Sequence, residues 1–355
     1  MVLVLIIMHL FMGNFSEVFM KRFINVLLII VLFSFIFYVL NRLVSPKYVD
    51  DLIEGSLTYS YYDSPKNHDV IFLGDCEMYA NFSPIAIYQE SGIKSFVRAN
   101  SQQLIWQSYY LLKETFKYEI PDAVVFNVNS IRYDRETSDK VNEAYNRLMI
   151  DQMKWSKDKI DLINVSMDEK ETFLSYVFPI LRYHSRIDKL TGEDIKYLFK
   201  KETKSFNGFI INEDIIPLEN LPSVRPLADY SFSEENLKYL DMIVKLCEEN
   251  NVELILIKSP SLYPHWYNEY DEFFVEYSKK NNLTYYNLLE VIDEVGIDYN
   301  VDTYDGGLHL NLSGATKLSK YFANILNNYH NIQGNFNDKY FNDLIIDYNN
   351  YIESN

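Results

Sequence analysis

The stretch that most constrains the fold runs from Asp69 to Phe82 and reads Asp-Val-Ile-Phe-Leu-Gly-Asp-Cys-Glu-Met-Tyr-Ala-Asn-Phe. Its first half is a short apolar run rich in β-branched residues, which predicts a buried strand, and its Gly-Asp-Cys turn opens toward a helical segment. A buried strand that ends in a tight turn presents one side chain at the carboxyl edge of a sheet, where open α/β folds bind their ligands. Here that side chain is Cys76.

Further apolar runs repeat this pattern along the chain. They predict strands at Val70–Leu73, Phe96–Ala99, Ala123–Val128, Val252–Ile257 and Leu283–Leu288. Helical spacing between them predicts helices at 84–90 and 267–281 and a last helix that begins near Ser313. Because strand and helix alternate, we expect a three-layer α/β/α fold with a parallel, roughly five-stranded sheet, similar in layout to flavodoxin.

The alternation pauses between residues 131 and 232, where helical segments such as 143–155 and 168–183 precede a loop-rich stretch. About a hundred residues is far more than a plain crossover needs. The pattern therefore predicts a cap at 131–232, inserted into an α/β domain that spans 69–330. It resumes with a helix capped by Ser233.

An apolar segment near the amino terminus predicts a membrane anchor at 23–43. The run from Phe23 to Leu40 is broken only by Asn25 and Ser34, and its length is close to the ~20 residues that span a bilayer. No small-residue cleavage pattern follows it, which favours an uncleaved anchor over a signal peptide. The alternative is a buried core helix. The flanking lysines and arginines do not favour either orientation.

The remaining segments are polar or unusual in composition. Residues 1–22 are interpreted as a leader, and Met20-Lys-Arg-Phe reads as a normal start for an anchor, so Met20 is hypothesised to be the initiator. Residues 44–68 are interpreted as a stalk or the outer wall of the domain. Residues 331–355 form a polar C-terminal tail without an assigned role.

Composition excludes some classes of function. The formal net charge of −17 disfavours a nucleic-acid partner, because phosphate binding needs clustered lysine and arginine. Two cysteines are too few for a secreted disulfide scaffold. Cys247 falls on the apolar face of a helical pattern and is predicted to be a core residue, which leaves Cys76 as a free thiol. A Cys76–Cys247 disulfide is the alternative. The 30 Tyr and 23 Phe make a glycan ligand conceivable, although they also fit a general bias of composition.

Three residues could carry nucleophilic chemistry. Cys76 sits on a rigid turn, where the first amides of the next helix would stabilise a thiolate. His309 is the candidate base, and Asp305, or else Asp302, is the acid that would orient its ring. The alternatives are that Cys76 fills space in a tight turn and that His309 belongs to a loop that caps the next helix.

Donors for an oxyanion are expected at the same edge of the sheet. Asn100 and Ser101 follow the second strand and Asn129 follows the third. Asp75, within the Gly-Asp-Cys turn, is grouped with them as a substrate-binding candidate. Ordinary capping of strand ends is the alternative for Asn100, Ser101 and Asn129. The sequence contains no metal-binding spacing, and no Gly-x-Gly-x-x-Gly follows the first strand. Neither a metal nor another cofactor is therefore expected.

The pattern resembles the SGNH, or GDSL, hydrolase superfamily over roughly residues 69–130 and 250–328. Gly74-Asp75-Cys76 stands where that family has Gly-Asp-Ser, and Asp305 to His309 resembles its closing Asp-x-x-His block, with one extra residue between acid and histidine. Asn129 matches the family's oxyanion asparagine, and Asn100-Ser101 stands where its oxyanion glycine is expected. With the anchor, the chain is similar to DltD-like proteins.

This resemblance implies a membrane-anchored, single-pass, extracytoplasmic esterase or acyltransferase. It would act on an acylated cell-envelope polymer or a small acyl ester through Cys76, His309 and Asp305, together with a membrane O-acyltransferase. Cysteine in place of serine would make the intermediate a thioester. The alternative is a catalytically silent scaffold that binds a glycan or partners a membrane O-acyltransferase.

Overall fold

The computed structural model describes residues 2–46, 53–134, 143–199, 205–221 and 223–354, with side chains from residue 18 onward. The chain divides into two compact units. One comprises the described residues up to 46 together with 174–199, and the other comprises the remaining described residues.

The larger unit is built on one parallel sheet of five strands. These are β1 (Val70–Gly74), β2 (Ser95–Ala99), β3 (Ala123–Asn127), β4 (Glu253–Lys258) and β5 (Thr284–Asn287). Their order in the sheet is β2-β1-β3-β4-β5, and all four pairings are parallel. The predicted α/β class and the five predicted strands are confirmed, with ends that differ by at most one residue.

Helices follow the strands as expected. Their bounds are α1 (Val2–Val44), α2 (Leu57–Asp63), α3 (Cys76–Asn81), α4 (Pro84–Ser91), α5 (Ile105–Thr115), α6 (Glu143–Ile150), α7 (Lys157–Ser166), α8 (Phe173–Val177), α9 (Ile180–Tyr183), α10 (Gly192–Lys196), α11 (Glu234–Glu249), α12 (Asn268–Asn281), α13 (Ile292–Val295), α14 (Leu312–Tyr329) and α15 (Lys339–Ser354). The helix predicted at 168–183 is divided into α8 and α9, because Pro179 lies between them and cannot continue the hydrogen-bond ladder of α8.

Apolar side chains fill the space between the sheet and its helices. On one face, the rings of Phe72, Phe82 and Phe322 contact one another, which joins β1 to the segment after α3 and to α14. On the other face lie α5 and α11. Cys247 of α11 is buried and unoxidised, as predicted for a core residue.

The order of the strands creates a switch point. From β1 the chain moves to β2 on one side, and it then returns to β3 on the other side of β1. The loops after β1 and β3 therefore diverge and leave a crevice at the carboxyl edge of the sheet, where ligands bind in open α/β folds. Cys76 lies two residues beyond β1, at this edge.

The smaller unit is organised by α1. Residues Val18–Val44 are long and apolar enough to cross a membrane, with a mean hydropathy of 2.9. Within this unit the end of α1 packs on α9 and its approach: the rings of Phe37 and Phe178 are 5.3 Å apart, and Asn41 Oδ1 accepts a hydrogen bond from the Ile180 amide. The limits of the leader, anchor, stalk, cap and tail stay predictions.

Candidate active site

The turn after β1 is fixed by Asp75. Its carboxylate oxygen Oδ1 accepts a hydrogen bond from the Glu77 amide at 3.2 Å, which caps α3. Cys76 is the first residue of that helix and is half-buried. As the first helical residue it has no acceptor for its own N–H within the helix, so this amide is oriented away from the helical ladder.

The loop before α14 folds an acid back onto His309. Asp305 Oδ2 lies 2.6 Å from His309 Nδ1, and Asp305 Oδ1 accepts the His309 backbone N–H at 2.7 Å. Gly306 and Gly307, at φ +74° and +99°, supply the left-handed backbone that this reversal needs. Because a carboxylate can only accept hydrogen bonds, His309 Nδ1 carries a proton and donates it in a hydrogen bond to Asp305 Oδ2.

The structure distinguishes the two candidate acids. Asp302 Oδ2 accepts hydrogen bonds from Lys317 Nζ at 2.6 Å and from the Asp298 amide at 2.8 Å. Only Asp305 of the two contacts the His309 ring among the described residues. Asp305 is therefore the residue placed to orient the imidazole.

The second ring nitrogen of His309 faces the thiol. Nε2 is buried and makes no hydrogen bond of regular geometry within the described part of the chain. The Cys76 thiol interacts with the His309 ring, and because Asp305 occupies Nδ1, Nε2 is the ring nitrogen left for the thiol. The Tyr304 ring stacks on the imidazole with centroids 5.5 Å apart and planes 12° from parallel, which holds the ring in place. Asp305, His309 and Cys76 thus form one connected row.

The electrostatics of this row favour a neutral thiol beside a charged imidazole. Burial raises the pKa of Cys76, the Asp75 carboxylate raises it further, and His309 opposes both. Burial lowers the pKa of His309, but the hydrogen bond with Asp305 and the interaction with Cys76 outweigh it and raise that pKa to about 10. Burial and the Asp75 carboxylate therefore both disfavour a Cys76 thiolate, and its stabilisation by the start of α3 stays a prediction.

The predicted oxyanion side chains have other partners. Asn129 Nδ2 donates to Asp75 Oδ2 at 2.8 Å, and Asn100 Nδ2 donates to Thr58 Oγ1 at 3.0 Å. The Ser101 hydroxyl is hydrogen-bonded to the Tyr79 hydroxyl at 2.9 Å. The structure thus places Asn129 beside the Cys76 turn but engages its amide, whereas Asn100 and Ser101 face α2 and Tyr79.

Three buried polar residues were missed by sequence reasoning. Asn127, at the end of β3, donates to Asp75 at 3.2 Å and to Glu77 at 2.9 Å. Lys258, at the end of β4, lies 3.0 Å from the Glu77 carboxylate. One signal was available: Lys258 directly follows four apolar residues of β4, and a glutamate directly follows Cys76.

An apolar cavity of about 250 Å³ adjoins the His309 loop. Its lining residues are Leu221, Val224, Ser261, Leu262, His265, Trp266 and Leu289. The Leu262 amide donates to the Gly307 carbonyl at 2.8 Å, so one cavity wall is tied to the loop that carries His309. Within the described residues, no group of three or more His, Cys, Asp or Glu side chains could hold a metal ion.

Comparisons with known proteins found little. No protein-family model matches the chain, and no curated protein matches it. One similar solved structure is that of a protein described as a lipolytic member of the G-D-S-L family from Desulfitobacterium hafniense DCB-2. It is 14% identical, the match covers 73% of this chain and 100% of that one, and the TM-score is 0.39. A similarity this low supports no conclusion about function. The function proposed below is inferred from the geometry of this chain.

Proposed function

We propose that the protein hydrolyses or transfers acyl groups through a thioester on Cys76. This proposal is supported by the row of Asp305, His309 and Cys76. The acid is hydrogen-bonded to one ring nitrogen of the histidine, and the other ring nitrogen faces the half-buried thiol. Such a row is the arrangement that activates a nucleophile in many unrelated folds.

The reaction has two steps. The reactive form of the pair is the one in which His309 has lost its Nε2 proton to solvent. The Cys76 sulfur then attacks the acyl carbonyl as the thiol proton passes to His309 Nε2, and the imidazolium returns this proton to the departing alkoxide or thiolate. Water or an acceptor hydroxyl then attacks the thioester, giving up its proton to His309, and the Cys76 sulfur leaves and is reprotonated. The Cys76 backbone amide, at the start of α3, is the donor best placed for the oxyanion. No metal or other cofactor is required.

The apolar cavity beside the His309 loop supports an acyl substrate. Its aliphatic walls, from Leu221, Leu262 and Leu289, would bury a short hydrocarbon chain. The candidate membrane helix and the resemblance to DltD-like proteins support a substrate at the cell envelope, with the larger unit outside the cell. We infer an acylated envelope polymer or a small acyl ester as the substrate, and a membrane O-acyltransferase as the partner.

A second candidate is a scaffold of the same fold without turnover. Two observations favour it: the side-chain amides of Asn129 and Asn100 already have partners, and burial raises the pKa of Cys76. A scaffold would bind a glycan or a membrane O-acyltransferase and would need no reactive thiol.

One experiment separates the two. The full-length protein in detergent is incubated with short acyl esters and thioesters, and intact mass reports acylation of the chain. We expect an acyl adduct and turnover in the wild type and in Cys247→Ala, and neither in Cys76→Ala. Equal turnover in Cys76→Ala would exclude the nucleophile. If no variant turns over, and Cys76→Ala retains cellular function and copurifies a membrane O-acyltransferase, the scaffold is correct.

A further inference from the structure

A buried ion pair lies directly beneath the Cys76 turn. Lys258 Nζ is 3.0 Å and 3.3 Å from the two carboxylate oxygens of Glu77, and the side chains are 0% and 1% exposed. The ammonium also donates to the carbonyls of Ser259, at 2.7 Å, and Ser261, at 3.4 Å. The three partner groups, one carboxylate and two carbonyls, match the three N–H donors of a lysine ammonium.

Asn127 extends this pair into a network that joins three strand ends. Its amide nitrogen donates to Asp75 and Glu77, the two residues that flank Cys76, and its Oδ1 accepts the Ser259 amide at 3.3 Å. The ends of β1, β3 and β4 are therefore connected through side chains that surround the turn. The backbone of Cys76 is held between two of them.

Such a pair is poorly explained by stability. Burying two charges carries a desolvation penalty that burying two hydrophobic side chains of the same volume does not. Buried ion pairs therefore contribute little to the free energy of folding. The position is more informative. Cys76 has a carboxylate on each side in the chain, and a thiolate or an oxyanion formed there would be repelled by both.

Other groups also face this thiol. His309 and Tyr304 come from the loop before α14, Tyr79 comes from α3, Tyr133 follows β3, and Arg132 lies next to Asn129. Besides His309, two cations lie near the turn. Arg132 Nη2 donates to the Asn129 side chain at 2.7 Å, and Lys258 Nζ donates to a carboxylate that flanks the nucleophile. Lys258 is therefore the cation placed to offset that carboxylate.

We propose that Lys258 and Glu77 are positioning residues that set the charge beneath Cys76. Lys258 neutralises Glu77 and fixes the turn, so that negative charge can form on the sulfur and on the attacked carbonyl. This inference rests on the proposed function for its purpose. Its test measures only the ionisation of the Cys76 thiol and does not need catalytic turnover.

The test is the pH dependence of Cys76 alkylation by iodoacetamide, in the full chain in detergent and in a Cys247→Ala background. Glu77→Gln removes the anion and leaves the cation, so the midpoint should fall by about one pH unit, the usual size for a charge within ~4–6 Å. Lys258→Met leaves the anion unpaired, so the midpoint should rise by a similar amount. The double variant should lie near the wild type, and Lys258→Arg, which keeps the charge, should move it least.

A second buried pair provides the control. Arg98 and Glu114 are 2.8 Å apart and 1% and 2% exposed, on β2 and α5. Arg98→Met with Glu114→Gln should lower the melting temperature and leave the midpoint unchanged. The near-isosteric Glu77→Gln decides the question alone: a folded variant with an unchanged or higher midpoint overturns the proposal. The ultraviolet absorbance of the thiolate, with Cys76→Ser as the blank, gives the same midpoint if alkylation is too slow.

Discussion

Two histidines of the larger unit have nearly the same local geometry. His68 Nδ1 lies 2.9 Å and 3.0 Å from the two oxygens of Glu119, and Glu119 Oε2 also accepts the His68 backbone N–H at 2.9 Å. His309 is gripped by Asp305 in the same way, through Nδ1 and the backbone N–H. In both, Nε2 is buried without a regular hydrogen bond within the described residues.

What differs is where each histidine lies on the sheet. His68 precedes β1 at the amino edge, among the rings of Tyr61, Phe96 and Phe341. His309 lies at the carboxyl edge with its Nε2 beside the Cys76 thiol. An acid and a histidine therefore do not make a site by themselves. His309 differs from His68 in lying at the carboxyl edge of the sheet, next to the thiol on the turn. The following variants test whether this position makes His309 catalytic.

The largest expected effect comes from exchanging each histidine for alanine. His309→Ala should slow acylation of Cys76 by about 100-fold or more, because the group that takes the thiol proton is lost. His68→Ala should leave the rate unchanged and lower the free energy of unfolding by about 1–3 kcal/mol, since the buried Glu119 loses a partner. Acylation rates and melting temperatures of the two variants check this. Equal rate losses would mean that His309, like His68, acts only on the fold.

The next effect comes from the acids. In Asp305→Asn, the new amide group can donate a hydrogen bond to Nδ1, so the ring would favour the tautomer that carries its proton on Nε2. That nitrogen would then point a proton at the Cys76 thiol and could no longer accept one from it. We expect a rate loss on the order of 10-fold or more, with the fold intact. Glu119→Gln is the matched change at His68, and Asp302→Asn tests the other acid.

Both of these controls should keep the rate at its wild-type value. A loss in Asp302→Asn as large as that in Asp305→Asn would reassign the acid. A loss in Glu119→Gln would show that the acylation rate follows general stability.

The sequence predicts one of these histidine pairs and not the other, for a physical reason. Asp305 and His309 are four residues apart on a Gly-Gly loop, so a turn suffices to join them. His68 and Glu119 are 51 residues apart and meet only through the packing of β1, α5 and β3. The strands were predictable because their apolar runs are largely continuous and are bounded by polar or turn-forming residues. The partners of Asn129 and Lys258 were not, because they depend on which strand ends adjoin.

The smallest expected effect is on the pH dependence of stability. The folded pKa of His309, raised to about 10, lies above the ordinary value of 6.5, so its contribution to stability is complete below pH ~6.5 and is lost as the pH rises toward 10. Burial raises the pKa of Cys76 as well, which gives the same sign above pH ~8.5. The free energy of unfolding should therefore fall between pH 7 and 9.5 with a slope of at most about 1.4 kcal/mol per pH unit for the histidine. Guanidinium denaturation of the full chain across this range measures it. His309→Ala should flatten the slope, because the imidazolium that interacts with Asp305 and Cys76 is then absent. An equal slope in His309→Ala and the wild type would show that the imidazole is not charged beside Cys76, and the neutral ring would then be ready to accept the thiol proton at pH 7.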